Sequence, residues 1–272
     1  MTAHADYFDI DALNWSTLKE MATSELHFHN RLTMPRTDSP AMRFGRACHT
    51  AVLEPDKFPL EWTLFEGRRA GKVWDEFAAV NADKGILTTD EYDTCLAVRD
   101  AVHGNRHAKR LLRGCQFEQT ALWTDPATGI ACKCRPDALK PYKVIDLKTT
   151  RSIDARKFGR LAYDLGYFGQ GAFYTEGVRL SVPRRRREWQ FYIIAVESEA
   201  PHDVGVFEID EDSMWVANQN VHKLLERVAV CRRSDTWRGR YAEVQELSLP
   251  EWEFGDMYAE ELALTGLKAK GS

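Results

Sequence analysis

The alternation of apolar and polar residues in the second half of the chain predicts several β-strands. Residues 142–150 (YKVIDLKTT) alternate in polarity and are rich in β-branched side chains, so they are predicted to form a strand. Successive side chains on a strand point to opposite faces, which places Val144, Asp146 and Lys148 on one face. Further strands are predicted at residues 117–123, 130–137, 188–197 and 204–209, the first two joined by a turn at 125–129.

Helical patterns precede and follow these strands. Thr17 and Glu20 form a capping-box pattern that predicts a helix from about residue 17 to about residue 29. A second predicted helix contains His49 and ends near residue 54. Asp154 is the predicted N-cap of a helix that breaks near Gly166 and then resumes. Other helices are predicted at about residues 73–80, 89–112 and 210–231.

These elements predict an α/β (α+β) protein with a mixed central β-sheet flanked by helices. A length of 272 residues is large for one domain but within the usual range, and we find neither repeats nor a linker. We therefore expect a single domain over residues 1–272. It comprises a helical part at about 14–113, a sheet with its helices at about 115–232, and a C-terminal extension at 233–272.

Two carboxylates and a lysine are the strongest candidates for catalytic chemistry. Asp146 and Lys148 share one face of the predicted strand, and a hairpin-like return through residues 138–143 can bring Asp137 beside them. Carboxylate oxygens bind a hydrated divalent cation, and a neighbouring lysine can act on the water that the cation activates. On its own, the Asp146–Lys148 pair is also compatible with a solvated surface ion pair.

Gln170 and Tyr174 lie four residues apart and therefore share a helical face. Behind the strand they would suit the orientation of a water molecule or a phosphate oxygen. The alternative is a helix with an exposed Gln and a buried Tyr. Gly169 and Gly171 lower the helix propensity around Gln170, so the helix is expected to start late or to flex there.

Two further side chains have two interpretations each. His49 lies among apolar residues, where a histidine is commonly a core residue but can also bind a metal. Glu118 lies on the strand before Asp137 and is either a carboxylate at the edge of the core or an additional acidic group of the site.

The motif formed by Pro136-Asp137 and Asp146-x-Lys148 resembles that of the PD-(D/E)XK nucleases, and with the other candidates it resembles their RecE-type exonuclease branch. The matching segments extend over most of the chain. They are Asn14–Lys19, GRACHTAVLEP, CRPDALKP, VIDLKTT, YFGQGAFY, Phe191–Glu197 and Trp237–Tyr241. The resemblance implies a restriction-endonuclease-like core. Related iron–sulfur nucleases need a cysteine cluster near the carboxyl end, but only Cys231 lies beyond Cys134.

The resemblance also implies roles for the candidate residues. His49, Asp137 and Asp146 would hold Mg²⁺, with Mn²⁺ as a substitute, and the Leu147 carbonyl would be a further ligand. Lys148 would stabilise or deprotonate the attacking water. The pair Gln170 and Tyr174 would position that water or the scissile phosphate.

The implied activity is that of an Mg²⁺-dependent 5′-to-3′ exodeoxyribonuclease on linear double-stranded DNA. It would leave 3′ single strands for a partner annealing protein of the RecT type, and it would form a ring-like homo-oligomer, most simply a tetramer. Two alternatives remain open. One is an endonuclease that uses the same site, and the other is a non-catalytic DNA-binding relative of the fold.

The charge balance argues against indiscriminate coating of nucleic acid, because 37 basic and 41 acidic residues give a net charge of −4. An exonuclease needs only a local basic lining. The candidates are Arg46, Arg135, the stretch 99–113 that contains Arg106, Lys109 and Arg110, and the stretch Arg184–Arg187. Both stretches are equally compatible with a solvated helix face or loop.

The six cysteines lack the spacing of a metal site. Cys132 and Cys134 lie two apart on a predicted strand and are interpreted as buried thiols of a reduced, intracellular protein. The amino terminus lacks the pattern of a signal peptide, and no apolar run approaches the length of a membrane span. We therefore expect a cytoplasmic protein, in a bacterium or a phage-infected cell, without a membrane partner.

Overall fold

The computed structural model describes residues 4–34, 38–181 and 188–249. The helices are α1 (His4–Asp9), α2 (Trp15–Leu18), α3 (Glu20–Thr23), α4 (Glu25–Thr33), α5 (Pro40–Leu53), α6 (Phe58–Glu61), α7 (Lys72–Val80), α8 (Thr89–Gly104), α9 (Arg106–Leu112), α10 (Ala155–Asp164), α11 (Tyr167–Ser181) and α12 (Glu211–Ser234). The strands are β1 (Trp62–Leu64), β2 (Gly85–Leu87), β3 (Gln116–Phe117), β4 (Ala121–Thr124), β5 (Ala131–Cys134), β6 (Ala138–Lys140), β7 (Lys143–Thr150), β8 (Gln190–Glu197) and β9 (Val204–Glu208). The predicted basic stretch Arg184–Arg187 lies outside the described residues.

A five-stranded sheet forms the centre of the molecule, with the strand order β3-β6-β7-β8-β9. The pair β7–β8 is parallel and the other pairs are antiparallel, so the sheet is mixed, as predicted. Strands β4 and β5 form the predicted hairpin, and β1 pairs with β2 in a small parallel sheet. None of the described helices is both long and apolar enough to cross a membrane.

Two hydrophobic clusters cover the two faces of this sheet. The first contains Val144 of β7 and side chains of α2, α3, α4, α10, α11 and α12. The second contains Ile145 and Leu147 of β7 and side chains of α5, α6, α8 and α9. The alternation of β7 is therefore confirmed. It also means that α5 and α11 approach β7 from opposite faces.

β7 extends beyond the end of its neighbour β6. The register of β6 ends with Ala138 opposite Ile145, whereas β8 accompanies β7 from Lys143 to Thr150. The second half of β7 therefore has one edge that β6 does not cover. Because β6 begins directly after Asp137, this residue lies at the open edge.

The predicted strand 117–123 is wrong as a single element. Glu118 has a positive backbone φ of 52°, which turns the chain between β3 and β4. As a result, β3 joins the central sheet through β6, and β4 joins the hairpin with β5. This turn also directs the segment after β3 toward Asp137, whose carbonyl accepts a hydrogen bond from the Glu118 N–H at 3.1 Å.

Two predicted helices are divided by side chains that cap new helices. The helix predicted at 17–29 is three short helices, and its predicted capping box is wrong. Instead, the Asn14 side chain caps α2 and the Ser24 side chain caps α4. Similarly, the predicted helix 89–112 breaks at Asn105, which caps α9 by accepting from two backbone N–H groups.

The remaining predictions of secondary structure agree well with the structure. The helices at 73–80 and 210–231 correspond to α7 and α12, and the strands at 188–197 and 204–209 correspond to β8 and β9. The break near Gly166 is also present, since this residue has a φ of 78° between α10 and α11. All six cysteines are free thiols, and Cys132 and Cys134 are buried as predicted.

The predicted late start of the helix around Gln170 is wrong, because α11 begins at Tyr167 and runs through both glycines. Flexing of the helix there stays a prediction. These glycines allow close packing. A Cβ atom at Gly169 would lie 2.1 Å from Cη2 of Trp15, and one at Gly171 would lie 3.0 Å from the Phe191 ring. Their missing side chains therefore let α11 approach both α2 and the sheet.

We expect Gly169→Ala to destabilise the protein by about 1–3 kcal/mol, because the added methyl group must displace the Trp15 ring. The matched control is Gly159→Ala on α10, where a Cβ would meet nothing within 4 Å. That change should stabilise the fold by about 0.5–1 kcal/mol through helix propensity alone. Urea denaturation of the two variants measures the difference. Equal effects in the two variants would contradict the packing role of Gly169.

Candidate active site

A cleft of about 810 Å³ lies over the open edge of β7. Helix α5 contributes His49 to its wall, and α11 contributes Gln170 and Tyr174 from the opposite face of the sheet. Asp137 and Lys148 line the cleft as well. The predicted site residues therefore converge from four separate parts of the chain.

Asp137 lies at the centre of one half of the site. Its Oδ2 accepts a hydrogen bond from the Leu147 backbone N–H at 2.7 Å and lies 3.4 Å from Nδ1 of His49. In a strand, the N–H and C=O of one residue point to the same side. The Leu147 carbonyl therefore faces the same open edge as Asp137, where it was predicted to act as a ligand. His49 faces the cleft with 26% of its side chain exposed, unlike a core histidine.

Asp146 lies in the other half of the site and is only 1% exposed. Its Oδ1 accepts a hydrogen bond from Gln170 Nε2 at 2.7 Å, and its Oδ2 lies 2.6 Å from Nζ of Lys148. The contact between Asp146 and Lys148 is therefore a buried ion pair. Gln170 was predicted to position a water or a phosphate, but here its amide holds a carboxylate.

Glu118 is brought into the site by the turn after β3. A carboxylate oxygen of Glu118, one of Asp137 and a ring nitrogen of His49 all lie within 4.8 Å of one another. The Arg135 guanidinium pairs with Glu118 at 3.2 Å and stacks 4.4 Å from the centre of the Tyr7 ring. Of the two interpretations of Glu118, the structure favours an additional acidic group of the site.

Two of the buried carboxylates have raised pKa values. Burial and the nearby charge of Asp137 raise the pKa of Asp146 to about 6, against the opposing effect of Lys148. Burial and Asp137 likewise raise the pKa of Glu118 to about 7. Both carboxylates thus hold protons more tightly than an exposed acid does. The site lacks enough positive charge to ionise all of its acids freely.

Three other groups have pKa values that are shifted in favour of their charged forms. Burial opposes ionisation of Asp137, but the charges of His49 and Lys148 outweigh it and lower the Asp137 pKa. Burial is also outweighed at Lys148, where Asp146 and Asp137 raise the pKa of the ammonium. The pKa of His49 is raised in spite of burial, mainly by the charge of Asp137. These shifts favour the charged forms of Asp137, Lys148 and His49.

The cleft contains further residues that the sequence analysis did not select. Tyr167 and Trp15 line its wall, and Lys148 Nζ lies 4.7 Å from the centre of the Tyr167 ring. A signal for Tyr167 was present, because it precedes Gln170 by three residues and so lies on the same helical face. Trp15 belongs to a segment that carries the family resemblance, although no role was assigned to it.

The predicted DNA-binding residues fall into two groups. Arg46 and Arg135 line the cleft, together with two further basic residues, Lys19 and Lys57. By contrast, the stretch that contains Arg106, Lys109 and Arg110 does not line the cleft as far as the chain is described. Arg106, Lys109 and Arg110 belong to α9, which packs against the second hydrophobic cluster. Contact of α9 with DNA would have to occur outside the cleft.

The family model of a PDDEXK-like domain of unknown function (DUF3799) matches residues 14–247. The chain belongs to this family, which confirms the predicted membership of the PD-(D/E)XK nuclease superfamily.

Comparison with solved structures supports the same fold. The chain is similar to a protein from Eubacterium rectale described as a putative exonuclease, with a TM-score of 0.65 and 15% identity over 94% of this chain and 98% of that one. A structure described as SSO0001 gives a TM-score of only 0.28 at 13% identity, over 82% of this chain and 87% of that one. A comparison with curated proteins gives no match.

The donor set fits the divalent metal that PD-(D/E)XK nucleases use. Asp137 and Glu118 offer carboxylate oxygens beside a ring nitrogen of His49. The predicted ligand Asp146 lies outside this group of three and adds a buried carboxylate that pairs with Lys148. Hard oxygen donors with one imidazole suit Mg²⁺ or Mn²⁺. These residues, with the Leu147 carbonyl, would hold the ion. The positive charge of the ion would offset the negative charge of the neighbouring carboxylates.

We expect metal affinity to fall as the pH is lowered, because a metal must displace protons from Glu118, with a pKa of about 7, and Asp146, with a pKa of about 6. Below each pKa the apparent affinity should fall up to about tenfold per pH unit for each displaced proton. Titration calorimetry with Mn²⁺ at about pH 7.5 and about pH 5.5 measures this change. Asp146→Ala is the control for binding elsewhere. An affinity independent of pH would contradict these ligands.

Proposed function

We propose that the protein is an Mg²⁺-dependent exodeoxyribonuclease that degrades linear double-stranded DNA from its 5′ ends. The observation that carries this proposal is the convergence of Asp137, Asp146 and Lys148 at the open edge of β7, in a chain of the PD-(D/E)XK family. Its similarity in fold to a protein described as a putative exonuclease is consistent with this substrate class.

The bound metal would supply Lewis-acid chemistry, lowering the pKa of a water and offsetting charge on the phosphate. Lys148 would act beside it as a fixed positive charge. The neighbouring carboxylates raise the pKa of its ammonium, so it remains protonated at neutral pH. Of the two predicted roles, stabilisation of the attacking water and of the developing charge is therefore favoured over proton abstraction.

Gln170 and Tyr174 of α11 would have different roles. Gln170 donates to Asp146 and thereby fixes the orientation of a carboxylate that would bind the metal. Burial raises the pKa of Tyr174 well above its usual value, so its hydroxyl stays protonated. In the wall of the cleft, that hydroxyl can donate a hydrogen bond to an oxygen of the scissile phosphate.

The biological setting is proposed from the resemblance to RecE-type exonucleases. The 3′ single strands would pass to a RecT-like annealing protein. A closed ring of subunits, most simply a tetramer, would retain the DNA between cleavage steps. Enclosure suits a chain with a net charge of −4, because such a chain cannot rely on overall positive charge to hold DNA.

We expect Lys148→Arg to reduce turnover by about 100-fold or more while DNA binding is preserved, since loss of one positioned electrostatic contact has effects of this size. The planar guanidinium keeps the charge but cannot occupy the place of the compact ammonium beside Asp146. Single-turnover cleavage and DNA titration measure the two effects. Lys72→Arg on α7, whose side chain is 88% exposed, is the control and should cleave at the normal rate. Normal turnover of Lys148→Arg would show that Lys148 is only an ion-pair partner.

We expect degradation of linear duplexes, with release of label from 5′ ends before 3′ ends, and no cleavage of covalently closed circles. Separately end-labelled linear duplexes and a closed plasmid, digested with Mg²⁺, test this. Activity should fall with rising salt, because phosphate contacts are screened. The Asp146→Ala variant controls for a contaminating nuclease. Cleavage of the circle would favour an endonuclease, and no cleavage of either substrate would favour a non-catalytic DNA-binding protein.

A further inference from the structure

The ammonium of Lys148 has two neighbours. Its Nζ lies 2.6 Å from Oδ2 of Asp146 and 4.7 Å from the centre of the Tyr167 ring. Only 18% of the Lys148 side chain is exposed. A cation within about 6 Å of an aromatic ring face, and partly withdrawn from water, is attracted by the negative charge of that face. The ring thus attracts the ammonium in addition to Asp146.

Tyr167 lies where α11 packs against α10. It is the first residue of α11, directly after the turn at Gly166, and its ring contacts Phe158 of α10 with 6.4 Å between the ring centres. Burial raises the pKa of its hydroxyl, so the ring stays neutral at the pH of catalysis. The ring therefore offers a neutral aromatic face to the flexible lysine side chain.

Tyr167 also lies on the same stripe of α11 as the predicted site residues. Residues 167, 170 and 174 follow the spacing i, i+3 and i+7, and all three line the cleft. Gln170 holds Asp146, the carboxylate that pairs with Lys148. One helix thus positions both neighbours of the ammonium.

We propose that Tyr167 is a positioning residue that holds the Lys148 ammonium in its catalytic orientation through the face of its ring. The inference rests on the proposed nuclease function for its effect on rate. Without the ring, the four rotatable bonds of the lysine would let the ammonium move, and fewer molecules would present it to the phosphate. The hydroxyl of Tyr167 has no part in this role.

The test compares Tyr167→Leu with Tyr167→Phe. Tyr167→Leu removes the aromatic face and should lower kcat about tenfold, within the range of about 5- to 30-fold that a partly desolvated cation–π contact allows, with KM unchanged. Tyr167→Phe keeps the face and should stay within about threefold of the normal rate. The control is Tyr163→Leu on α10, since that tyrosine is 74% exposed. It should leave the rate unchanged.

A second measurement does not depend on activity. In protein labelled with ¹³C-lysine, the Cε protons of Lys148 should show an upfield ring-current shift in the wild type and in Tyr167→Phe. That shift should be absent in Tyr167→Leu, and Lys148→Arg assigns the signal. If the wild-type protein cleaves no DNA, the proposed function fails, but this shift still tests the position of the lysine.

Three results would overturn the proposal. Equal loss of kcat in the Phe and Leu variants would assign the effect to the hydroxyl. A normal kcat in Tyr167→Leu would show that the ring does not matter for Lys148. An unchanged Lys148 signal in Tyr167→Leu would show that the ring does not lie over the ammonium.

Discussion

The active site depends on the early end of the pairing between β6 and β7. β7 remains a regular strand beyond Ile145 because β8 accompanies it along its whole length. Its other edge is then left with backbone groups that β6 does not reach. The N–H of Leu147 is satisfied by the side chain of Asp137 instead, and this hydrogen bond fixes that carboxylate at the edge. A missing neighbour in the sheet is thus what gives the two aspartates a common site.

The same edge collects more negative than positive charge in a buried space. Asp137, Asp146 and Glu118 face two cationic side chains, Lys148 and Arg135, with His49 beside Asp137. Buried charges without full compensation are costly, so two of the carboxylates respond with raised pKa values. A divalent cation would relieve this imbalance. The electrostatics of the site therefore favour binding of the divalent metal that PD-(D/E)XK nucleases use.

The sequence predicted the elements that are determined locally. The alternation in β7 and the turn at Gly166 depend on neighbouring residues, and both are present in the structure. The candidate site residues could also be selected from the sequence, because they belong to short motifs. The missed features are breaks in elements that the hydrophobic pattern continues. Glu118 enters the site through a positive φ that its residue type does not predict, and the break at Asn105 comes from a capping side chain within a region of helical pattern.

The packing of α11 depends on contacts between distant parts of the chain, which a local sequence pattern does not predict. Gly169 and Gly171 weaken a helix when they are considered locally, which led to the expectation of a late start. In the folded chain they admit the rings of Trp15 and Phe191, residues from distant parts of the sequence. The close approach that results brings the stripe with Tyr167 and Gln170 against β7. The local cost of two glycines in a helix is therefore offset by packing that places this stripe beside Lys148 and Asp146.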